Sequence, residues 1–524
     1  MKRFVSYRAV QIAALVVLSV LIAQCGGGMG LSSGGATWRV QGDLVQHEPW
    51  DREQYDKIDE NPFIAVSANP RSTFSIDVDR ASYANVRRYL TDGKAPPKDA
   101  VRLEELINYF PYDYTEPAGD APVALNAEVG PAPWRTQHSL VRIGLQAKRI
   151  DLGEAPPANF VFLLDVSGSM QPANKLPLLK RAFGLLVQEL RPKDRVAIVV
   201  YAGSAGLVLP STPGTEKGKI LEAIEGLEAG GSTAGGAGIR RAYAEAVANF
   251  IPGGNNRVIL ATDGDFNVGV SSDAEMVRLI EQKRETGVFL TVLGFGEGNL
   301  QDAKMQKLAQ YGNGNYAYID SPLEARKVLV HELGGTLITV AKDVKVQVEF
   351  NPARVRAYRL IGYENRLLRD EDFADDTKDA GDIGSGHSVT ALYEVIPVGV
   401  QSDVAVRELD PLRYQAVSAQ PRTETDELLF VQVRYKAPES ERSQLLSLPV
   451  RDEGKTNQSV DFRFQAAVAE FGLLLRQSPH RGGADWGRVA ETARAALGHD
   501  GEGYRAEFVR LVDGARGIDI ARDR

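Results

Sequence analysis

The segment Asp165-Val166-Ser167-Gly168-Ser169 places one carboxylate and two hydroxyls at alternate positions. Alternate side chains of a loop can turn toward one point, and Gly168 allows the tight backbone path that this needs. Two distant pieces supply further oxygen atoms: Thr233 in a glycine-rich loop, and Asp263 after an apolar run. All five side chains are oxygen donors, so they favour a hard divalent cation, Mg2+ first, with Mn2+ or Ca2+ as alternatives.

Two carboxylates and three hydroxyls leave a bound ion electrophilic, so an acidic side chain of a partner protein could complete its coordination. No general base accompanies the set. Ser167 lacks the Gly-x-Ser-x-Gly flanks of a nucleophile, and no histidine is near it in sequence. The six histidines are scattered without zinc-ligand spacing. We therefore expect a binding protein rather than an enzyme.

The elements that position these residues alternate between buried strands and amphipathic helices over residues 158–335. Apolar runs at 159–164, 195–201, 257–262 and 288–296 are typical of parallel strands. Ligands of such open sheets bind beyond the carboxyl ends of the strands, where Asp165 and Asp263 fall. The pattern predicts a doubly wound α/β domain with a closing helix over 322–333.

Alternating apolar and polar residues on both sides of this region predict half-buried strands, at 123–157 and again within 336–460. We expect these strands to form one β-sandwich-like domain into which the α/β domain is inserted. Residues 71–122 are predicted to form a small α+β region. Residues 461–524 carry three helical stripes of apolar residues and are predicted to form a helical unit.

The first residues carry an export signal. Lys2, Arg3 and Arg8 precede a short apolar stretch, which predicts a signal peptide over 1–24. Cys25 follows in a segment similar to a bacterial lipobox, although Gln24 stands where a small residue is usual. We expect lipid attachment at Cys25, a flexible tether over 25–70, and a cell-envelope lipoprotein, in the outer membrane if the cell is Gram-negative. The alternative is a periplasmic or secreted protein.

Composition excludes other classes. The net charge of -8 and the pI near 5.5 leave no basic surface for nucleic acid. Cys25 is the only cysteine, so no internal disulfide can form. The oligomeric state is left open.

Several acidic residues have competing interpretations. Asp265 and Asn267 could tune the metal site or form a turn. Asp77 and Asp79 resemble the paired aspartates of phosphotransferring enzymes, but a strand-end turn is favoured. A solvated loop is favoured over a Ca2+ site for the acidic residues of the segment 370–382, because their spacing does not match a calcium loop.

The pattern Asp165-x-Ser167-x-Ser169 with Thr233 and Asp263 resembles the metal-ion-dependent adhesion site of von Willebrand factor type A domains. Stretches at 74–86, 261–269 and 503–508 are similar to bacterial YfbK-type von Willebrand factor A lipoproteins, and the likeness covers nearly the whole mature chain. The resemblance implies that these five residues bind an ion that bridges to a glutamate or aspartate of a protein partner. Two alternatives are an envelope scaffold with a loop-stabilising metal and a metal-assisted hydrolase.

Overall fold

A computed structural model of the chain describes residues 53–151, 153–203, 205–231, 235–264, 273–332, 338–378, 380–406, 425–454 and 457–522. The predicted signal peptide lies outside these ranges. So do Cys25, Thr233, Asp265 and Asn267.

The first described elements are β1 (Ile64–Ala65), β2 (Arg71–Ser75), α1 (Ala81–Thr91) and α2 (Leu103–Ile107). The predicted tether extended to residue 70, but the described part of that segment is packed. Phe63 and Val66 are buried, and the Glu53 carboxylate accepts hydrogen bonds from Arg88 (2.7 Å) and Tyr89 (2.8 Å). A segment without periodicity can be held by long-range contacts of this kind, which sequence patterns do not reveal.

The hairpin β3 (Val123–Ala132) and β4 (Arg135–Ala147) precedes the α/β region. The strands of that region are β5 (Ala158–Asp165), β6 (Arg195–Tyr201), β7 (Ala205–Pro213), β8 (Asn255–Thr262), β9 (Val288–Phe295) and β10 (Tyr316–Ile319). Its helices are α3 (Leu176–Glu189), α4 (Lys217–Glu225), α5 (Gly235–Ala248), α6 (Asp273–Arg284), α7 (Asp302–Tyr311) and α8 (Pro322–Arg326), and a π-helical turn over Lys327–Glu332 follows.

The six strands form one sheet in the order β10-β9-β8-β5-β6-β7, parallel except for β7. Every residue of β5 is buried, as expected for a central strand covered on both faces. One face packs with α3 around Phe162 and Phe183, and the other packs with α5 around Leu163 and Tyr243. The carboxyl ends of β5, β6 and β8 therefore meet at one edge of the sheet.

The remaining strands are β11 (Thr339–Phe350), β12 (Val355–Ile361), β13 (Leu367–Leu368), β14 (Gly381–Gly384), β15 (Ser388–Pro397), β16 (Glu427–Lys436) and β17 (Ser443–Arg451). They join the early strands in two antiparallel sheets, β1-β12-β15-β4-β3 and β13-β2-β11-β16-β17, with β14 paired to β11. The sheets share one apolar core, in which Val141 and Ile143 of the first cluster with Val346 and Val431 of the second. The predicted fold class is confirmed: the α/β domain is inserted into this sandwich.

Three helices close the described chain: α9 (Val460–Leu475), α10 (Trp486–Ala495) and α11 (Tyr504–Arg522). The structure differs from the separate α+β region predicted over 71–122. Strand β2 is part of a sandwich sheet, and Tyr83 and Phe110 share an apolar core with Phe464 and Phe508 of the closing helices. Within the described ranges, no helix combines the length and apolar character needed to cross a bilayer.

Candidate metal-ion site at the carboxyl edge of the sheet

Asp165 ends the buried strand β5 and is itself fully buried. Its Oδ1 accepts the backbone N–H of Ser167 at 2.9 Å. Its Oδ2 accepts the hydroxyls of Tyr201 at 3.1 Å and Thr262 at 3.2 Å. Burial raises the pKa of the Asp165 carboxyl to about 6, against the lowering effect of the Ser167 hydrogen bonds, and the nearby charge of Asp263 adds to the rise.

Tyr201 and Thr262 are site residues that the sequence analysis missed. Both are the last residues of their strands, β6 and β8, which flank β5. The sheet register places Tyr201 directly beside Asp165. Their positions at the ends of apolar runs could have indicated that they lie near Asp165, because neighbouring parallel strands end at the same edge of a sheet. Their two hydroxyls fix the carboxylate orientation.

Ser167 and Ser169 lie next to each other in the short turn that follows. Their Oγ atoms are 3.0 Å apart, a hydrogen-bond distance. The turn is tied to the glycine-rich loop, since Gly168 N–H donates to the Gly231 carbonyl at 3.1 Å and Gly230 N–H donates to the Val166 carbonyl at 2.8 Å. The Asp165–Ser169 segment and the glycine-rich loop are therefore in direct contact at Gly230 and Gly231. Thr233 follows Gly231 by two positions in the chain.

Asp263 is buried and paired with a lysine that the sequence analysis also missed. Lys175 Nζ donates to Asp263 Oδ2 at 2.8 Å, and both side chains are almost fully enclosed, at 6% and 0% exposed. The lysine stem lies against Gly296, which has a φ of +71° and no room for a Cβ beside it. Lys175 directly precedes α3, where the positive end of the helix dipole disfavours a cation. The Asp263 carboxylate offsets this unfavourable position.

The described donors fit a small hard cation. Neighbouring ligands of an octahedron with bonds of about 2.1 Å lie roughly 3.0 Å apart, which is the separation of the two serine Oγ atoms. In the described part of the chain, no group of three or more His, Cys, Asp or Glu side chains could hold a metal ion. The candidate is thus the mixed set of two carboxylates and hydroxyls.

The other acidic candidates have structural partners. Asp79 accepts from Arg366 at 3.1 Å and from the Tyr316 N–H at 2.9 Å, and burial raises its pKa to about 7. Asp77 pairs with Arg366 at 3.0 Å. These contacts give both carboxylates structural partners in the irregular segment between β2 and α1.

In the acidic segment, described carboxylates bond to neighbouring protein groups. Asp370 accepts from Thr73 at 2.8 Å, Asp372 pairs with Arg369 at 3.0 Å, and Asp382 accepts from the Asp343 N–H at 3.2 Å.

The closing helix differs from the single helix predicted over 322–333. Helix α8 spans five residues and is capped by Ser321, which precedes it and whose hydroxyl accepts the Glu324 N–H at 3.2 Å. The backbone then widens into the π-helical turn, where Lys327 and Arg80 both pair with Glu332. These buried ion pairs stabilise the π-helical turn. The helical spacing of apolar residues in the sequence does not predict them.

Family models match three parts of the chain. The model described as "von Willebrand factor type A domain" matches residues 159–330. Those described as "von Willebrand factor" and "Uncharacterized protein YfbK, C-terminal" match residues 49–142 and 335–518. The fold and these matches define a protein with a von Willebrand factor type A domain, generally a protein-interaction module.

The chain belongs to the YfbK family. It is 46% identical over 480 residues to "Uncharacterized protein YfbK" of Escherichia coli (strain K12). The aligned region covers 90% of this chain and 82% of that protein. "Uncharacterized protein sll0103" of Synechocystis sp. is 30% identical over 193 residues, covering 36% of this chain and 44% of that protein. The family resemblance inferred from sequence is confirmed.

Among solved structures, a von Willebrand factor type A protein from Catenulispora acidiphila has a TM-score of 0.39 and 17% identity, covering 72% of this chain and 87% of that one. The ArnB paralog VWA2 from Sulfolobus acidocaldarius has a TM-score of 0.34 and 14% identity, and the match covers 76% of this chain and 98% of that one.

Proposed function

We propose that this protein is a cell-envelope binding module whose metal ion captures a glutamate or aspartate side chain of a partner protein. Asp165, Ser167, Ser169, Thr233 and Asp263 would hold the ion, Mg2+ by preference. The observation that carries the proposal is the convergence of Asp165, the paired serine hydroxyls and the Thr262–Asp263 strand end at one edge of the sheet. The ion would supply a Lewis acid for a carboxylate oxygen.

The chain's own residues prepare this edge for an anion. The hydroxyls of Tyr201 and Thr262 and the Ser167 N–H orient the Asp165 carboxylate. Lys175 compensates the charge of Asp263. Two carboxylates and one ammonium leave one net negative charge, so a divalent ion gives the site one net positive charge. A partner carboxylate would neutralise that charge.

We also propose that the protein is exported and attached to a membrane through lipid on Cys25. The motif around Cys25 supports this, and Gln24 departs from it. Mass measurement of the protein from its native cells tests the anchor: a mass increase carried by an N-terminal Cys25 supports it. An unmodified Cys25 contradicts it.

Calorimetric titration with Mg2+ and Mn2+ tests the metal site. We expect the wild type to bind one ion, and Asp165→Asn and Ser169→Ala to bind at least tenfold more weakly. The control is Asp426→Asn, which changes an exposed carboxylate distant in sequence from the loops of the site. Circular dichroism establishes that each variant is folded. Equal ion affinity in wild type and Asp165→Asn would refute the assigned ligands.

Capture of an envelope partner, in Mg2+ and in chelator, then tests the function. The adhesion proposal requires capture by the wild type in Mg2+, with loss both in chelator and in Asp165→Asn. Capture that survives both changes refutes adhesion. If chelator then lowers only thermal stability, the metal has the loop-stabilising role of the scaffold alternative.

A further inference from the structure

A second group of side chains, remote in sequence from the adhesion loops, has the arrangement of a nucleophile, a base and an orienting acid. His138 lies on β4 and Glu394 on β15, and these strands are antiparallel neighbours. Ser402 follows β15. His138 Nδ1 is 2.6 Å from Glu394 Oε1, and His138 Nε2 is 2.8 Å from Ser402 Oγ.

The sheet register explains how the acid reaches the base. Glu394 is paired directly with Leu140, so the two side chains share a face of the sheet. His138 is two positions from Leu140 and therefore lies on the same face. Phe63 packs its ring edge-on against the imidazole, with centroids 5.8 Å apart. The base is thus held by strand pairing and by packing.

The charge of Glu394 fixes the tautomer of His138. Burial raises the pKa of Glu394, but the His138 hydrogen bond and the charge of Arg359 bring that pKa below its usual value. Arg359 donates to Glu394 Oε2 at 3.1 Å, and the carboxyl is fully enclosed. A carboxylate accepts only, so Nδ1 carries the hydrogen, and in the neutral imidazole Nε2 offers its lone pair to the Ser402 hydroxyl. This is the tautomer that a general base requires.

Ser402 opens onto a groove while its base is buried. The groove is open to solvent and mostly polar, with a volume of about 660 Å³, and Trp134, Arg135, Gln401, Gly483 and Arg488 line it beside Ser402. Arg135 pairs with Asp403 at 2.9 Å, and Arg488 pairs with Glu470. Because both cations are paired with carboxylates, the groove suits an uncharged substrate.

We propose that Ser402 is a nucleophile with His138 as general base and Glu394 as positioning residue, and that the groove hydrolyses uncharged carboxylic esters. Ser402 Oγ would bond to the carbonyl carbon while its proton moves to His138 Nε2. Collapse of the tetrahedral species would break the ester C–O bond, and His138 would return the proton to the departing alcohol. Water would then bond to the acyl carbon while His138 Nε2 takes its proton, the bond between that carbon and Ser402 Oγ would break, and His138 would return the proton to Oγ as the acid leaves.

A simpler role for the group would be to fix the segment after β15, since Ser402 Oγ also accepts the Val404 N–H at 3.1 Å. The two roles differ in reactivity. A fluorophosphonate reacts with an activated serine, forming an Oγ–P bond and releasing fluoride, whereas an unactivated hydroxyl reacts negligibly. Structural fixation alone therefore predicts a loss of stability in Ser402→Ala without any labelling of the wild type.

The test is fluorophosphonate labelling of the full chain, followed by mass spectrometry and p-nitrophenyl acetate turnover. We expect one adduct on Ser402, none in Ser402→Ala, and a rate at least 100-fold lower in His138→Gln. Ser440→Ala, which changes a half-buried serine away from any described histidine partner, should label like the wild type. An adduct elsewhere, or equal ester turnover in wild type and Ser402→Ala, overturns the proposal.

Two further variants separate an effect on the reactivity of residue 402 from an effect on folding. In Ser402→Cys, iodoacetamide should alkylate the new thiol at least tenfold faster than the thiol of Ser440→Cys, and equal rates count against the base. For Glu394→Gln, we expect a slower reaction whose pH–rate midpoint moves to lower pH, because the imidazolium loses its anionic neighbour. A purely structural glutamate would leave that midpoint unchanged.

Discussion

Replacement of Lys175 by Met should destabilise the metal-free protein and strengthen its response to Mg2+. Lys175 and Asp263 form an ion pair of 2.8 Å with both side chains enclosed. Removal of one partner of a buried pair leaves the other charge uncompensated, at a cost of about 3–5 kcal/mol. A divalent cation can take over that compensation, so Mg2+ should bind the variant more tightly.

The size of the Mg2+ response follows from binding linkage. Two unit charges about 4 Å apart repel by ~1 kcal/mol even in water, and a divalent ion doubles this, so loss of the ammonium should tighten Mg2+ binding at least tenfold. Mg2+ at a hundred times the dissociation constant adds about 2.7 kcal/mol to stability, and at a thousand times about 4.1 kcal/mol. The variant should therefore gain at least ~1.4 kcal/mol more than the wild type.

Urea unfolding followed by circular dichroism, in chelator and in excess Mg2+, measures both effects. Lys180→Met is the matched control, because Lys180 is a half-buried lysine of α3 whose Nζ donates to the Glu225 carbonyl rather than to a carboxylate. It should lose little stability and respond to Mg2+ as the wild type does. An equal Mg2+ increment in Lys175→Met and wild type would refute the idea that lysine and metal compensate the same carboxylate.

Two further outcomes are expected. Burial, with the charges of Glu364 and Glu105, raises the pKa of Glu104 from 4.5 to about 7. The folded state then binds more protons than the unfolded state between these values, so stability falls as pH rises through that window, by on the order of 3 kcal/mol. In unfolding measurements at pH 5 and 8, Glu104→Gln should lessen the decline in stability by about this amount, while Asp79 and Asp165 still contribute to it, and an unchanged decline would contradict the prediction. Gly264→Ala should cost more than about 3 kcal/mol, because φ is +103° and the Cβ would lie 2.7 Å from the Gln301 nitrogen. Gly253→Ala, at φ +68° with open space around it, should cost only about 1–2 kcal/mol, and equal thermal shifts would exclude the steric explanation.

Sequence patterns predicted the parts of the structure that depend on local periodicity. The buried runs of the α/β domain and the alternating strands on both sides of it are such patterns, and they led to the insertion. Residues 53–70 have no period, and their order comes from contacts such as that of Glu53 with Arg88. Strand β2 was placed in a separate region because its partner, β11, lies far along the chain.

The candidate site was predictable to a similar degree. Asp165, Ser167 and Ser169 are adjacent in sequence, and a known pattern connects them to Thr233 and Asp263. Lys175 belongs to no pattern, and only the three-dimensional path over Gly296 brings it to Asp263. The bonded atoms of His138 and Glu394 belong to residues 256 positions apart, so scattered histidines gave no signal of a partner.

The sandwich combines strands from before and after the inserted domain, and this has a consequence for the order of folding. Thr73 and Gln347, hydrogen-bonded across neighbouring strands, are 274 positions apart. If the inserted domain (158–332) folds first, it shortens the effective loop between these two residues from 274 to roughly 100 residues, which saves about 1 kcal/mol of closure entropy. We therefore expect the sandwich to form last and slowly, since its pairings have high contact order. Strand β2 must wait for β11, and β4, which already pairs with β3, must wait for β15, because the ribosome delivers both later strands only after the whole inserted domain.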